Sequence, residues 1–190
     1  MINQTRRRAS FAAGMLTVLT SLSAHAVPIL EFAPSDSVVV VGDSFSVDVF
    51  ASDFTDLFTF QALLFYDPTF LSPNAITEGS FLSGAGTTAF FGDFSAGNIV
   101  FINLLLDSAV GVSGSGQLAT LNFTALAPGT SSLTFADFLL LNSAGELIDA
   151  EARNGTVIAS IPEPNSLALV AIGLLAGCFV LRSKLWLPRA

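Results

Sequence analysis

Ser44–Phe50 reads SFSVDVF, and its character alternates at every residue. Phe45, Val47 and Val49 fall on one side, and Ser44, Ser46 and Asp48 on the other. A strand turns its side chains over with period two and a helix with period 3.6, so this pattern belongs to a half-buried β-strand. The stretch QLATLNFTAL, Gln117–Leu126, repeats the rule. Ala119, Leu121, Phe123 and Ala125 stand opposite Leu118, Thr120, Asn122 and Thr124.

Outward from these two, further strand candidates are SVVVV (37–41), FTFQALLFY (58–66), TTAFF (87–91), NIVFINLLL (98–106), SSLTF (131–135) and GTVIAS (155–160). Turn chemistry separates them at Val41-Gly42-Asp43, Asp67-Pro68, Ser95–Asn98, Ala127-Pro128-Gly129, Ser143-Ala144-Gly145 and Asn154-Gly155. Many short strands at this spacing predict an all-β, two-sheet sandwich over residues 27–160. NIVFINLLL is almost wholly apolar, which predicts a central strand covered on both faces. DSAVGVSGSGQ, Asp107–Gln117, reads as a flexible loop of small residues. The chain holds 18 phenylalanines, and most of those in strands are expected to alternate inward.

Charge is unevenly placed along the 190 residues. Arg6, Arg7 and Arg8 open the chain, and Arg182, Lys184 and Arg189 close it. Between them Arg153 is the single base, against fourteen acids from Glu31 to Glu151. So acidic a domain repels phosphate backbones, which excludes nucleic acid as a partner. The one cysteine, Cys178, lies in the last apolar run, so the core holds without a disulfide.

Both ends read as addresses. Residues 1–26 have the form of a secretory signal peptide: three arginines, the apolar SFAAGMLTVLTSLS, and Ala24-His25-Ala26 as an A-x-A cleavage site. Cleavage after Ala26 makes Val27 the first mature residue; the competing reading is an uncleaved anchor helix. At the other end, Ile161–Lys184 reads IPEPNSLALVAIGLLAGCFVLRSK. Leu167–Leu181 carries no charge, and with flanking residues it makes a transmembrane helix over about 166–184. Arg182 and Lys184 form the membrane flank, cytoplasmic by the positive-inside rule, which leaves the sandwich on the far side.

The order Pro162-Glu163-Pro164, apolar span, basic end closely resembles the PEP-CTERM sorting signal, over 161–190. The resemblance implies an exported protein of a Gram-negative, exopolysaccharide-making bacterium. Its precursor would be held in the inner membrane and processed by an exosortase, a membrane-embedded cysteine protease-like enzyme, for the cell surface or extracellular matrix. The basic end departs from the family's compact arginine run, since LWLP separates Lys184 from Arg189. Two prolines also hold the motif extended, as a protease needs.

The middle resembles a cohesin domain over Pro28–Ser160. The carrying features are VGD-F-V-V at Val41–Val49, FQALLFYDPTFL at Phe60–Leu71, G-LATLNF at Gly116–Phe123, and D-LLLNSAGE-I-A---NGTV ending at Val157. The resemblance implies a nine-stranded jelly-roll sandwich and a dockerin-like protein partner. It carries over no binding residues.

Catalysis finds little material. The only histidine, His25, leaves with the signal, and residues 27–160 hold neither lysine nor cysteine. Nucleophile–base pairs built on those residues are therefore unavailable. Paired carboxylates for glycoside hydrolysis remain conceivable at Asp53 and Asp56, or at Glu146, Asp149 and Glu151, but these acids sit in apparent turns and read as solubilising. No cofactor is expected. Structural calcium is a minor alternative, for no D-x-D-x-D spacing occurs. Tyr66 is the sole Trp or Tyr of the domain and reads as strand-end packing beside Asp67-Pro68. Two functional classes result: a surface-displayed, non-catalytic protein-binding module for adhesion or scaffolding, and a secreted carbohydrate-binding module associated with exopolysaccharide.

Overall fold

The computed structural model describes residues 26–162, 170 and 172–175. Ten strands and one helical turn follow in the order β1 (Ile29–Ala33), β2 (Asp36–Val40), β3 (Ser44–Phe65), β4 (Leu71–Glu78), α1 (Ser80–Ser83), β5 (Thr88–Ser95), β6 (Asn98–Leu105), β7 (Val112–Ala125), β8 (Gly129–Asn142), β9 (Glu151–Arg153) and β10 (Gly155–Ser160).

The long strand β3 joins two layers. Its first half pairs with β1 on one side and β7 on the other. Its second half pairs with β6 and β8. One sheet is therefore β9-β1-β3-β7-β4 and the other β5-β6-β3-β8-β10-β2. Both chain ends repeat the crossing: β1 and β9 pair in the first sheet, and β2 and β10 in the second. This is the two-sheet sandwich that the alternating stretches predict, in the jelly-roll form that the cohesin resemblance implies. It has ten strands against the nine the resemblance implies, with β3 counted once although it serves both sheets.

The bend in β3 has a local cause. Against β7 the partners run Ala51–Gly116, Phe54–Gly114 and Leu57–Val112. Three residues of β3 thus face two of β7, twice in succession, and each step is a one-residue bulge. The extra residues include Asp53 and Asp56, at φ 59° and 58°. Aspartate tolerates this left-handed region better than most side chains. The Ser115 hydroxyl accepts from Asp53 N at 2.9 Å, and the Ser113 hydroxyl accepts from Asp56 N at 3.0 Å. Buried positions shift accordingly to Ala51, Phe54 and Leu57, a spacing of three that keeps the core side covered around the corner.

Between the sheets lie Leu30, Phe32, Val47, Val49, Phe60, Leu64, Phe101, Leu121, Phe123 and Leu140, all at most 2% exposed. Phe32 of the first sheet stacks on Phe135 of the second, with centroids 4.5 Å apart, and Tyr66 meets Phe123 edge-on at 5.7 Å. Tyr66 donates its hydroxyl to the Ser95 carbonyl at 2.9 Å, so it packs at the strand end as its sequence context indicates. A polar link also crosses the layers: the Glu78 carboxylate on β4 accepts from Thr88 on β5 and from Asn103 on β6.

Two sequence expectations are corrected. The stretch 98–106 is not covered on both faces. In β6, Ile99, Phe101, Asn103 and Leu105 are buried while Val100 and Ile102 are exposed, because the second sheet has nothing packed outside it among the described residues. Nor is Asp107–Gln117 one flexible loop. From Val112 it is the start of β7, whose Ser and Gly residues cap and accommodate the β3 bulges.

Candidate protein-binding face

The second sheet turns its outer surface to solvent along β5, β6, β3 and β8. Strand register places residues from four distant stretches in rows across it. Phe91 pairs with Ile102, Ile102 with Gln61, and Gln61 with Leu139. The next row is Asp93, Val100, Leu63 and Asp137, and the next is Ser95, Asn98, Phe65 and Thr134. Phe91 is 76% exposed and Phe65 47% exposed; Val100, Ile102 and Leu139 are exposed as well. A shallow hollow bordered by Gln61, Leu63, Asp137, Phe138 and Leu139 lies within the face.

Across the middle row the apolar pair Val100 and Leu63 is flanked by Asp93 and Asp137. Contiguous exposed apolar area rimmed by polar groups is a candidate contact surface. Not all phenylalanines turn inward. Phe32, Phe54, Phe60, Phe81, Phe101, Phe123 and Phe135 are buried, but Phe65, Phe91 and Phe94 are exposed.

The outer surface of the first sheet differs. Ser44 and Thr124 share a hydrogen bond of 3.0 Å, Asn74 donates to Thr124 at 2.9 Å, and Thr120 donates to Asp48 at 2.8 Å. These groups satisfy one another and offer few free anchors. Asn122 sits in this surface, on β7.

The acids considered for catalysis are scattered. Asp56 accepts from Gly111 N, and from Ser143 N and Oγ at 3.2 and 2.7 Å. The Ser143 hydroxyl, followed by the Gly111 N–H, holds its carboxyl below the usual carboxylate range, with desolvation opposing them. A carboxylate so occupied ties the 111 and 143 loops to the β3 bend and is a poor nucleophile or general acid. Asp53 and Asp149 border one open hollow beside Ala26, Pro28 and Ile148. Glu146 is engaged with Asn142, and Glu151 with Arg153. Only Glu146 and Asp149 keep the loop placement read from sequence; Asp53 and Asp56 lie inside β3 and Glu151 in β9. Among the described residues no three His, Cys, Asp or Glu side chains gather to hold a metal.

A family model for the cohesin domain matches residues 32–159. The chain belongs to the cohesin family. A second model, the PEP-CTERM protein-sorting motif, matches residues 160–184. Such motifs mark proteins exported to the cell surface or extracellular space, and this cohesin is a protein-binding module of that exported kind. No curated protein matches the chain.

Among solved structures, the non-cellulosomal cohesin of Archaeoglobus fulgidus is 19% identical, with a TM-score of 0.59 over 72% of this chain and 92% of that one. The sixth cohesin of Acetivibrio cellulolyticus scaffoldin B, in complex with a Cel5 dockerin mutant, is 20% identical, at TM-score 0.60 over 71% of this chain and all (100%) of that one. The Coh-OlpA–Doc918 complex of Clostridium thermocellum gives 14% identity and TM-score 0.60, over 71% of this chain and 100% of that one. These likenesses show the fold.

Of the sorting residues, Pro162 stands two residues past the end of β10, whereas Glu163 and Pro164 lie outside the described residues. Ala26 is described and exposed; Ala24, Arg182 and Lys184 are outside them. Val170 and 172–175 are helical, with Leu174 and Leu175 exposed. No helix among the described residues is long and apolar enough to cross a membrane.

Proposed function

We propose that this cohesin is a non-catalytic adhesion or scaffolding module that binds a dockerin-like protein through the outer face of β5, β6, β3 and β8. The exposed apolar row Phe91, Ile102 and Leu139 about Gln61 carries this reading. Two similar cohesin structures are complexes with dockerins, which supports a protein as the occupant. In this reading residues 1–26 are removed after Ala26. The span over about 166–184 holds the precursor in the inner membrane of a Gram-negative bacterium, flanked by Arg182 and Lys184. An exosortase reads Pro162, Glu163 and Pro164 and releases the module to the cell surface or matrix. Calcium, if bound, is structural only.

Capture from the host's envelope fraction by the immobilised chain tests it. A protein should be retained by wild type and by Thr77→Arg, on the other sheet, and lost with Leu63→Arg plus Ile102→Arg. Retention by the double variant would sink the assigned face. Binding of neutral exopolysaccharide, with no protein retained, would favour the carbohydrate-binding reading.

A further inference from the structure

The sandwich has two unlike ends. Strands β2, β3, β5, β7 and β10 all finish at one of them, where the turns 41–43, 66–70, 95–98 and 126–128 gather around the last described residues. Backbone bonds tie this exit end together: Val41 N to Ser160 O at 2.9 Å, Gly42 N to Ala125 O at 2.8 Å, and Leu126 N to Phe70 O at 2.8 Å. Its turns hold two carboxylates, Asp43 and Asp67. They also expose Leu126 (52%), with Phe94 (40%) just before them and Ile161 (65%) at the exit. Leu126 and Phe94 border a shallow groove with Tyr66, Pro68, Leu71 and Pro73.

The far end holds the β3 bend and the loops around 107, 146 and 149. It carries Asp53, Asp56, Asp107, Glu146 and Asp149. Leu106, Val110 and Leu147 are exposed there too, but among those five carboxylates. Carboxylates are thus more numerous at the far end, while exposed apolar side chains stand at both ends.

The tail leaves from the less charged end, and it leaves short. Five residues, Ile161–Asn165, lie between Ser160 and Ser166, where the proposed span begins. Fully extended they reach about 20 Å. Strand β7 alone, at 14 residues, runs about 46 Å. A tether that short keeps the exit end within about 20 Å of the bilayer, while the far end can stand more than twice as far away.

We infer that, while the tail is in place, the exit end of the sandwich rests on the bilayer and beds Leu126, Phe94 and Ile161 in the interfacial region. This rests on the membrane-tail reading given above. The contact holds the acidic end outward and leaves the β5-β6-β3-β8 face upright and open to a partner before processing. Releasing the tail removes the tether and with it the contact, since three apolar side chains alone bury too little for stable anchoring.

The full chain in phosphatidylcholine vesicles tests this. With Cys178→Ser as background, single cysteines at Leu126→Cys, Phe91→Cys, Leu147→Cys and Leu175→Cys carry an environment-sensitive dye. Leu175 reports the tail, Leu126 the exit end, Phe91 the binding face and Leu147 the far end. The expected result is blue-shifted emission and quenching by brominated lipid at Leu175 and Leu126, with neither at Phe91 or Leu147. An inserted Leu175 with a water-exposed Leu126 overturns the inference and leaves the tail reading standing. Quenching at Phe91 or Leu147 in place of Leu126 overturns it in favour of a different resting surface. A Leu175 dye that stays in water defeats the tail reading, and the inference falls with it.

Discussion

Asp56 shows how one side chain can settle a local conformation. Its backbone adopts φ 58°, its N–H is taken by Ser113, and its carboxylate gathers Gly111 and Ser143. Those donors favour the charged form, so the folded carboxyl titrates below the unfolded one. A group lowered in this way stabilises the fold above its unfolded pKa, near 3.9 by ordinary values, and the contribution disappears as pH falls through the folded pKa. Asp56→Asn keeps a residue that tolerates φ near 60° but removes the charge. It should be less stable than wild type at pH 6 by chemical denaturation, and the gap should close below about pH 4. A gap unchanged by acid would show that the charge contributes nothing. Sequence alone presents Asp56 as an ordinary turn acid, because its three partners come from positions 111 and 143. Tyr66, by contrast, is readable where it stands: a lone tyrosine at the end of a strand, next to Asp67-Pro68.

Strand β3 is where periodicity both succeeds and stops. SFSVDVF and FTFQALLFY read as separate strands, and each is correctly β, but the structure runs them together through a double bulge. The signal was present as a change of spacing, from two to three, at Ala51, Phe54 and Leu57. Its meaning depends on the Ser-Gly stretch of β7, more than fifty residues away. Strand β4 is harder to see, since Pro73 interrupts its pairing with β7 and forces a register shift. Two predictions belong to these elements. Removing both capping hydroxyls, with Ser113→Ala and Ser115→Ala, deprives two bulge N–H groups of partners and should cost about 1 kcal/mol each in denaturant unfolding. Gly79→Ala should cost more. A Cβ there would stand 2.2 Å from the Gln117 carbonyl oxygen, so the start of α1 would have to lift off β7. Strain of that kind costs about 1–3 kcal/mol. A Gly79→Ala protein as stable as wild type would mean that α1 moves freely.

At the scale of the molecule, the sandwich and the sorting motif were legible because each rests on a local pattern: alternation along strands, and a short motif followed by an apolar run. The proposed binding face was not. Phe91, Ile102, Gln61 and Leu139 become neighbours only through three strand pairings, and read singly each passes for a core residue or a stray polar one. The same pairings place Asp93 and Asp137 at opposite ends of one row, with Val100 and Leu63 between them. Three strand spacings put these acids about 14 Å apart. A protein partner seated on the apolar centre would meet both, in the field of a domain with fourteen acids and one arginine between residues 27 and 160. That field speeds the encounter of a partner carrying basic groups, while the apolar contact governs how long the complex lasts. Exposed charges are screened beyond about 10 Å at 0.1 M salt. The association rate of a partner captured from the envelope should therefore fall as salt rises, with a much smaller change in dissociation. In Asp93→Asn plus Asp137→Asn the salt slope should flatten while dissociation stays close to wild type. Stopped-flow association over a salt series measures both. If the double variant kept the wild-type slope, the charge that steers the partner would lie elsewhere on the domain; if dissociation alone responded to salt, the partner would be held at this face by ion pairs and not by its apolar rows.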